Sequence, residues 1–156
     1  MRLTSAFEVF WDRSLTRKTC RDGGETDCKT QSGLMVLVDT SVWIRSLAGR
    51  APYTAELDSL LGRDEVAGHE LVYGELLIGD RGGRGRLLAA YERIHQAASI
   101  PHRDVVAFAR ARRLYGRGLG WIDVHLLASA VVERLHLWTA DSRFATVARE
   151  LRVSYR

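Results

Sequence analysis

The chain has 156 residues, a formal net charge of +4 and a pI near 9.4, and 46% of its residues are hydrophobic. That suits one domain with a real core, and no apolar run is long enough to span a membrane, so a cytoplasmic protein is expected. Both lysines (Lys18, Lys29) and both cysteines (Cys20, Cys28) precede Met35, whereas 17 arginines follow it. Without a later lysine there is no GxxxxGK[ST] phosphate loop and no receiver-type lysine at a late strand end. The basic balance fits a polyanionic partner.

Residues 1–34 lack apolar periodicity and contain the polar stretch RDGGETDCKTQSG. Glu8 interrupts AFEVFW and Asp12 follows it, so the segment has no apolar core of the kind a signal peptide needs. It reads as a disordered tail, or as an upstream start with Met35 as the true beginning. A partner-binding segment or a cysteine pair are the alternatives, although Cys20 and Cys28 match no zinc or thioredoxin spacing. The folded unit is therefore expected over residues 35–156.

From Val36 onward, VLVD is a short apolar, β-branched run, the pattern of a strand buried on both faces. Thr40 or Ser41 can cap the next helix, whose buried stripe is Val42, Trp43, Ile44 and Leu47. Helical spacing recurs from 53 to 61, from Glu70 to Ile78, and through Leu87, Leu88, Tyr91 and Ile94. Ser99-Ile100-Pro101 reads as a short strand, followed by a helix from Val105 to Leu114 that glycines at 116–120 stop. Ile122 to Leu135 is a sixth helix, His136 to Ala140 a strand, and Ser142 to Glu150 a last helix. Strands alternating with helices predict an α/β three-layer sandwich around a mostly parallel sheet.

Four acids stand in apolar surroundings within this pattern: Asp39, Glu75, Asp123 and Asp141. An ionised carboxylate there is costly unless something pairs with it, and no lysine is at hand. Gathered carboxylates repel, by on the order of 3 kcal/mol per pair at roughly 5 Å and an effective dielectric of about 20. A hard cation such as Mg²⁺ or Mn²⁺ relieves that repulsion. Element lengths bring three of them together. A helix of about 13 residues runs roughly 20 Å out from Asp123, and the strand after it returns roughly 16 Å towards Asp141. Asp39 ends a strand parallel to that one and so shares the edge where open α/β sheets bind ligands. Glu75 is left unplaced in mid-helix. Taken singly, Asp141 is explained as an N-cap, Asp123 as a first-turn charge and Asp39 as a turn residue.

In order along the chain, VLVDTSVWI, GELLIG, GWIDVHLLASA and LWTADSRF resemble the motifs of the PIN-domain ribonucleases, and most of all the VapC toxins of bacterial toxin–antitoxin pairs. The likeness covers about Met35 to Arg156. It implies that Asp39, Glu75, Asp123 and Asp141 hold one or two Mg²⁺ or Mn²⁺ ions for hydrolysis of RNA phosphodiesters. Asp39 and Asp141 are then the primary ligands, and Thr40 and Thr139 orient carboxylates. It further implies a homodimer and a cognate antitoxin that blocks the site. No acid of the set is missing, which argues against the competing reading of a PIN-like module that binds RNA or protein without cutting.

Several other residues carry two readings. Arginines cluster at 81, 84 and 86 and at 110, 112, 113 and 117, as RNA-contacting patches or as a solvated surface. The five histidines show no metal-ligand spacing. His125, two residues from Asp123, points to another face of its helix and is expected to be a packing or surface residue rather than a ligand. Trp121 adjoins an acid in sequence and is either a core anchor or a surface for base stacking.

Overall fold

A computed structural model of the chain describes residues 34–156, and the expectations for the N-terminal extension lie outside the described residues. Strands and helices follow in the order β1 (Val36–Val38), α1 (Thr40–Leu47), α2 (Tyr53–Gly62), β2 (Val66–Gly68), α3 (Glu70–Ile78), α4 (Gly85–Tyr91), β3 (His95–Gln96), α5 (His102–Ala111), α6 (Trp121–Glu133), β4 (His136–Trp138) and α7 (Ser142–Glu150). The sheet has the order β3-β2-β1-β4, and every pair is parallel. This is the α/β architecture the alternating pattern predicts. All three residues of β1 are fully buried, as a central strand covered by helices on both faces must be. Among the described residues no helix is long and apolar enough to cross a membrane.

Local chemistry shifts several boundaries from their expected places. The cap of α1 is Asp39 itself, whose carboxylate accepts from Ser41 N, so Thr40 is already the first helical residue. Residues 99–101 form no strand. Pro101 has no N–H to offer a ladder and instead precedes α5, while the sheet edge is supplied by His95 and Gln96. α4 ends at Tyr91 and α5 at Ala111, short of Ile94 and Leu114. α5 is followed by Arg113, whose φ of 53° cannot continue a helix. β4 stops at Trp138, and Thr139 leaves the ladder to bond elsewhere. β2 was not signalled by the sequence at all, being three residues between Glu65 and His69.

One close approach fixes how β2 meets its helices. Tyr91 is 1% exposed and lies beneath β2, where its hydroxyl accepts from His69 N at 2.8 Å. A Cβ on Gly68 would come within 2.9 Å of the Tyr91 ring and 2.8 Å of Gln96 Nε2. The amide end can swing away, but the buried ring cannot. Gly68→Ala is therefore expected to cost about 1–3 kcal/mol through overpacking, seen as a lower thermal midpoint. An unchanged midpoint would mean that Tyr91 is less tightly held than this packing requires.

Candidate active site

Parallel strands place all their carboxyl ends on one edge. From β1 the chain passes to β2 on one side, while β4 lies on the other, so the β1–β4 crevice is the topological switch point at which such sheets bind ligands. Asp39 follows β1 directly and Asp141 follows β4 by three residues. Asp123 lies in the first turn of α6, and Glu75 on α3, which packs against α1.

Each carboxylate is held through one oxygen. Asp39, 6% exposed, accepts at Oδ2 from Ser41 N (3.3 Å), Ser41 Oγ (2.5 Å) and Thr139 Oγ1 (2.9 Å). Ser41 Oγ accepts in turn from Ala140 N at 3.0 Å, and Thr139 Oγ1 accepts from Asp141 N at 3.0 Å. This chain of hydroxyls ties the end of β1 to the end of β4. Thr40 Oγ1 donates to Glu75 Oε2 at 2.5 Å, which anchors the one acid that spacing could not place. Asp123 Oδ2 accepts from Gly120 N at 2.7 Å, closing the start of its own helix. Asp141 Oδ1 caps α7 by accepting from Arg143 N (2.8 Å) and Phe144 N (2.9 Å). Among the described residues, protein donors thus reach only one oxygen of each carboxylate.

The acids also feel one another. Burial pushes the Asp123 carboxyl above its ordinary range, and the charges of Asp39, Asp141 and Glu75 push it further, against the Gly120 N–H that stabilises the anion. The structure thereby brings the four sequence-predicted acids into one electrostatic neighbourhood. As the side chains stand, no group of three or more acidic, histidine or cysteine residues among the described ones is arranged to hold a metal ion. The donor chemistry nevertheless fits a hard cation, because four mutually repelling carboxylates each keep an oxygen that no described protein donor occupies.

Thr40 and Thr139 each touch a carboxylate, Glu75 and Asp39 respectively. Ser41 is the residue that sequence reasoning undervalued. Read only as a possible helix cap, its hydroxyl instead links Asp39 to the backbone after β4, and the adjacent hydroxyls of Asp-Thr-Ser were the available signal. Of the arginine clusters, Arg117 is committed to Glu150 through two bonds of 2.6 and 2.7 Å, while Arg110, Arg112 and Arg113 are exposed. That clasp fixes the loop leading into α6 against the far end of α7.

Comparison with known proteins places this geometry in context. The family model described as PIN domain matches residues 36–150. Ribonuclease VapC32 of Mycobacterium tuberculosis (strain CDC 1551 / Oshkosh) is 41% identical over 117 residues, covering 74% of this chain and 92% of the relative. The protein of the same name from strain ATCC 25618 / H37Rv matches to the same extent. Among solved structures, the crystal structure of PAE2754 from Pyrobaculum aerophilum overlays with a TM-score of 0.48 and 18% identity, covering 76% of this chain and 96% of that one.

Proposed function

The chain belongs to the PIN-domain family, among the VapC ribonucleases, and from that premise we propose that it is a metal-dependent endoribonuclease serving as the toxin of a toxin–antitoxin pair. The observation that carries the reading is the carboxylate edge: Asp39 follows β1 and Asp141 follows its neighbour β4, and Asp123, raised first by burial, also feels the charges of Asp39, Asp141 and Glu75. In this reading Asp39 and Asp141 are the primary ligands of Mg²⁺ or Mn²⁺, and Glu75 and Asp123 complete the set. A bound divalent cation supplies Lewis-acid chemistry, lowering the pKa of water and neutralising charge on the phosphodiester. The protein's own part is positional. Thr139 and Ser41 fix Asp39, Thr40 fixes Glu75, and the caps of α6 and α7 fix Asp123 and Asp141. The catalytic unit is assigned to residues 35–156, with residues 1–34 outside it.

Partners follow from the same reading. A groove of about 760 Å³ runs between α1, α2 and the 79–87 segment, floored by Trp43, Leu57, Leu61 and Leu87 and rimmed by Arg81 and Arg86. It suits the apolar face of an antitoxin helix. An arginine from that partner matches the anionic edge, since its planar fork engages carboxylates in pairs. Exposed Leu77 and Ile78 on α3 offer apolar area for a second copy of the chain.

The test is direct. Full-length protein is incubated with RNA in Mg²⁺, in Mn²⁺ or in EDTA, and the new 5′ ends are mapped. Discrete ends in metal and none in EDTA are expected, together with growth arrest on induced expression. Undiminished cleavage in EDTA, or none with either metal, would overturn the assignment.

A further inference from the structure

Trp121 opens α6 and is 44% exposed, although it is the kind of side chain that folding normally hides. Two imidazoles brace it. His102, the first residue of α5, lies 5.1 Å from the indole at 57° between planes, and His125, one turn along α6, meets it edge-on at 5.0 Å and 88°. The ring is thus held from two elements and still nearly half in water. Such an arrangement fixes a flat apolar surface in solvent at little further entropic cost.

Its position gives that surface a use. His102 is the first residue of α5 and Trp121 the first of α6, so their ring contact joins the starts of these two helices. Along the carboxyl edge Asp141 follows β4 and Asp39 follows β1, and Trp121 opens the helix whose first turn carries Asp123. Asp123 sits two residues from Trp121 on the same first turn but on a different side of the helix. A strand whose phosphate lies at the acids therefore has an aromatic surface beside it. Every nucleobase has a π-face, and unpaired bases are commonly splayed onto aromatic side chains.

We propose that Trp121, braced by His102 and His125, is the platform on which one nucleobase of the RNA stacks while the neighbouring phosphate occupies the acidic edge. The inference rests on the nuclease reading of that edge. A base already unpaired reaches the indole most readily, because a paired one must first leave its stack at added cost. Trp121 contributes binding and placement of the substrate.

Trp121→Leu and Trp121→Phe are compared with wild type on a single-stranded RNA oligonucleotide, with thermal melts alongside. A series of the same oligonucleotide carries an abasic nucleotide at each position flanking the cleaved bond. Trp121→Leu is expected to raise KM about tenfold or more with kcat nearly unchanged, and Trp121→Phe to recover most of the loss. In wild type one abasic position should raise KM by a similar factor, and the leucine variant should be indifferent there. An unchanged KM in Trp121→Leu, or full sensitivity at that position, would overturn the platform while leaving the nuclease assignment standing. Binding of the same labelled oligonucleotide with Ca²⁺ in place of Mg²⁺, read by anisotropy, decides the platform even if wild type does not cleave. Weaker binding by Trp121→Leu than by Trp121→Phe supports it, and equal binding by all three proteins overturns it.

Discussion

Asp39→Ala is expected to abolish RNA cleavage and to destabilise the fold, whereas Asp123→Asn should abolish cleavage and stabilise the metal-free fold. The two acids differ in what their charge does for the structure. Asp39 is a buried helix cap that receives three donors, so its removal orphans Ser41 N and two hydroxyls and costs about 1–2 kcal/mol. Asp123 has a single donor, Gly120 N, and it is pushed up by burial and by three neighbouring anions. An amide in its place keeps the acceptor for Gly120 and removes the repulsion. Thermal melts in EDTA beside cleavage assays in Mg²⁺ separate the variants. Equal melting shifts of one sign would show that hydrogen bonding and repulsion are not divided between these acids in this way.

The second large effect is expected at His69, which directly follows β2 and caps α3. Its side chain is fully buried, and its protonation state is dictated by its neighbours. Nδ1 accepts from Leu71 N at 3.1 Å, so the ring proton sits on Nε2 and is donated to Ser129 Oγ at 3.1 Å. Ser129 in turn donates to Ala98 O at 2.9 Å. Burial holds the imidazole below the ordinary histidine range, although Glu70 pulls it the other way. Because the folded pKa lies below the unfolded value of about 6.5, the unfolded chain takes up the proton first. The stability contribution is thus complete above about pH 6.5 and is lost as pH falls through the folded pKa. His69→Ala should lower stability by roughly 2–4 kcal/mol at neutral pH, through a cavity and the orphaned Leu71 N–H, and should remove part of the decline on acidification. His69→Asn, which keeps a cap acceptor for Leu71 N, should recover some of the loss. Urea melts at pH 5, 6 and 7.5 give the comparison, and identical pH slopes in wild type and His69→Ala would refute this account.

Much of the fold was legible because α1, α5 and α7 carry strong apolar periodicity, α3 and α6 are apolar almost throughout, and β1 is a continuous apolar run. The approach of Asp123 and Asp141 could be read from lengths alone, since a helix and the strand after it run out and back by similar distances. What escaped the sequence depended on contacts between distant segments. β2 is only Val66–Gly68, and β3 is His95–Gln96, two polar and exposed residues whose strand character comes from pairing with β2. Glu75 in mid-helix carries no local sign of its destination, which is set by the packing of α3 on α1 and by one bond from Thr40. Ser41 looked like a helix cap because that is what a serine after a strand usually is. Its bond to Ala140 N spans 99 residues, and no local pattern encodes it.

The pairing of β1 with β4 also sets a schedule. Val36 aligns with His136 and Asp39 is fastened by Thr139, so the opening strand of the fold waits for a partner one hundred residues downstream. Contacts of such sequence separation close late, and a chain emerging from the ribosome at roughly 5–20 residues per second spends several seconds without them. Until α6, β4 and the start of α7 have been made, Asp39 has neither Asp123 nor Asp141 beside it. Fragments released early, from broken messages or stalled translation, hold the first two acids alone. The four acids share one edge only when nearly the whole chain has been translated.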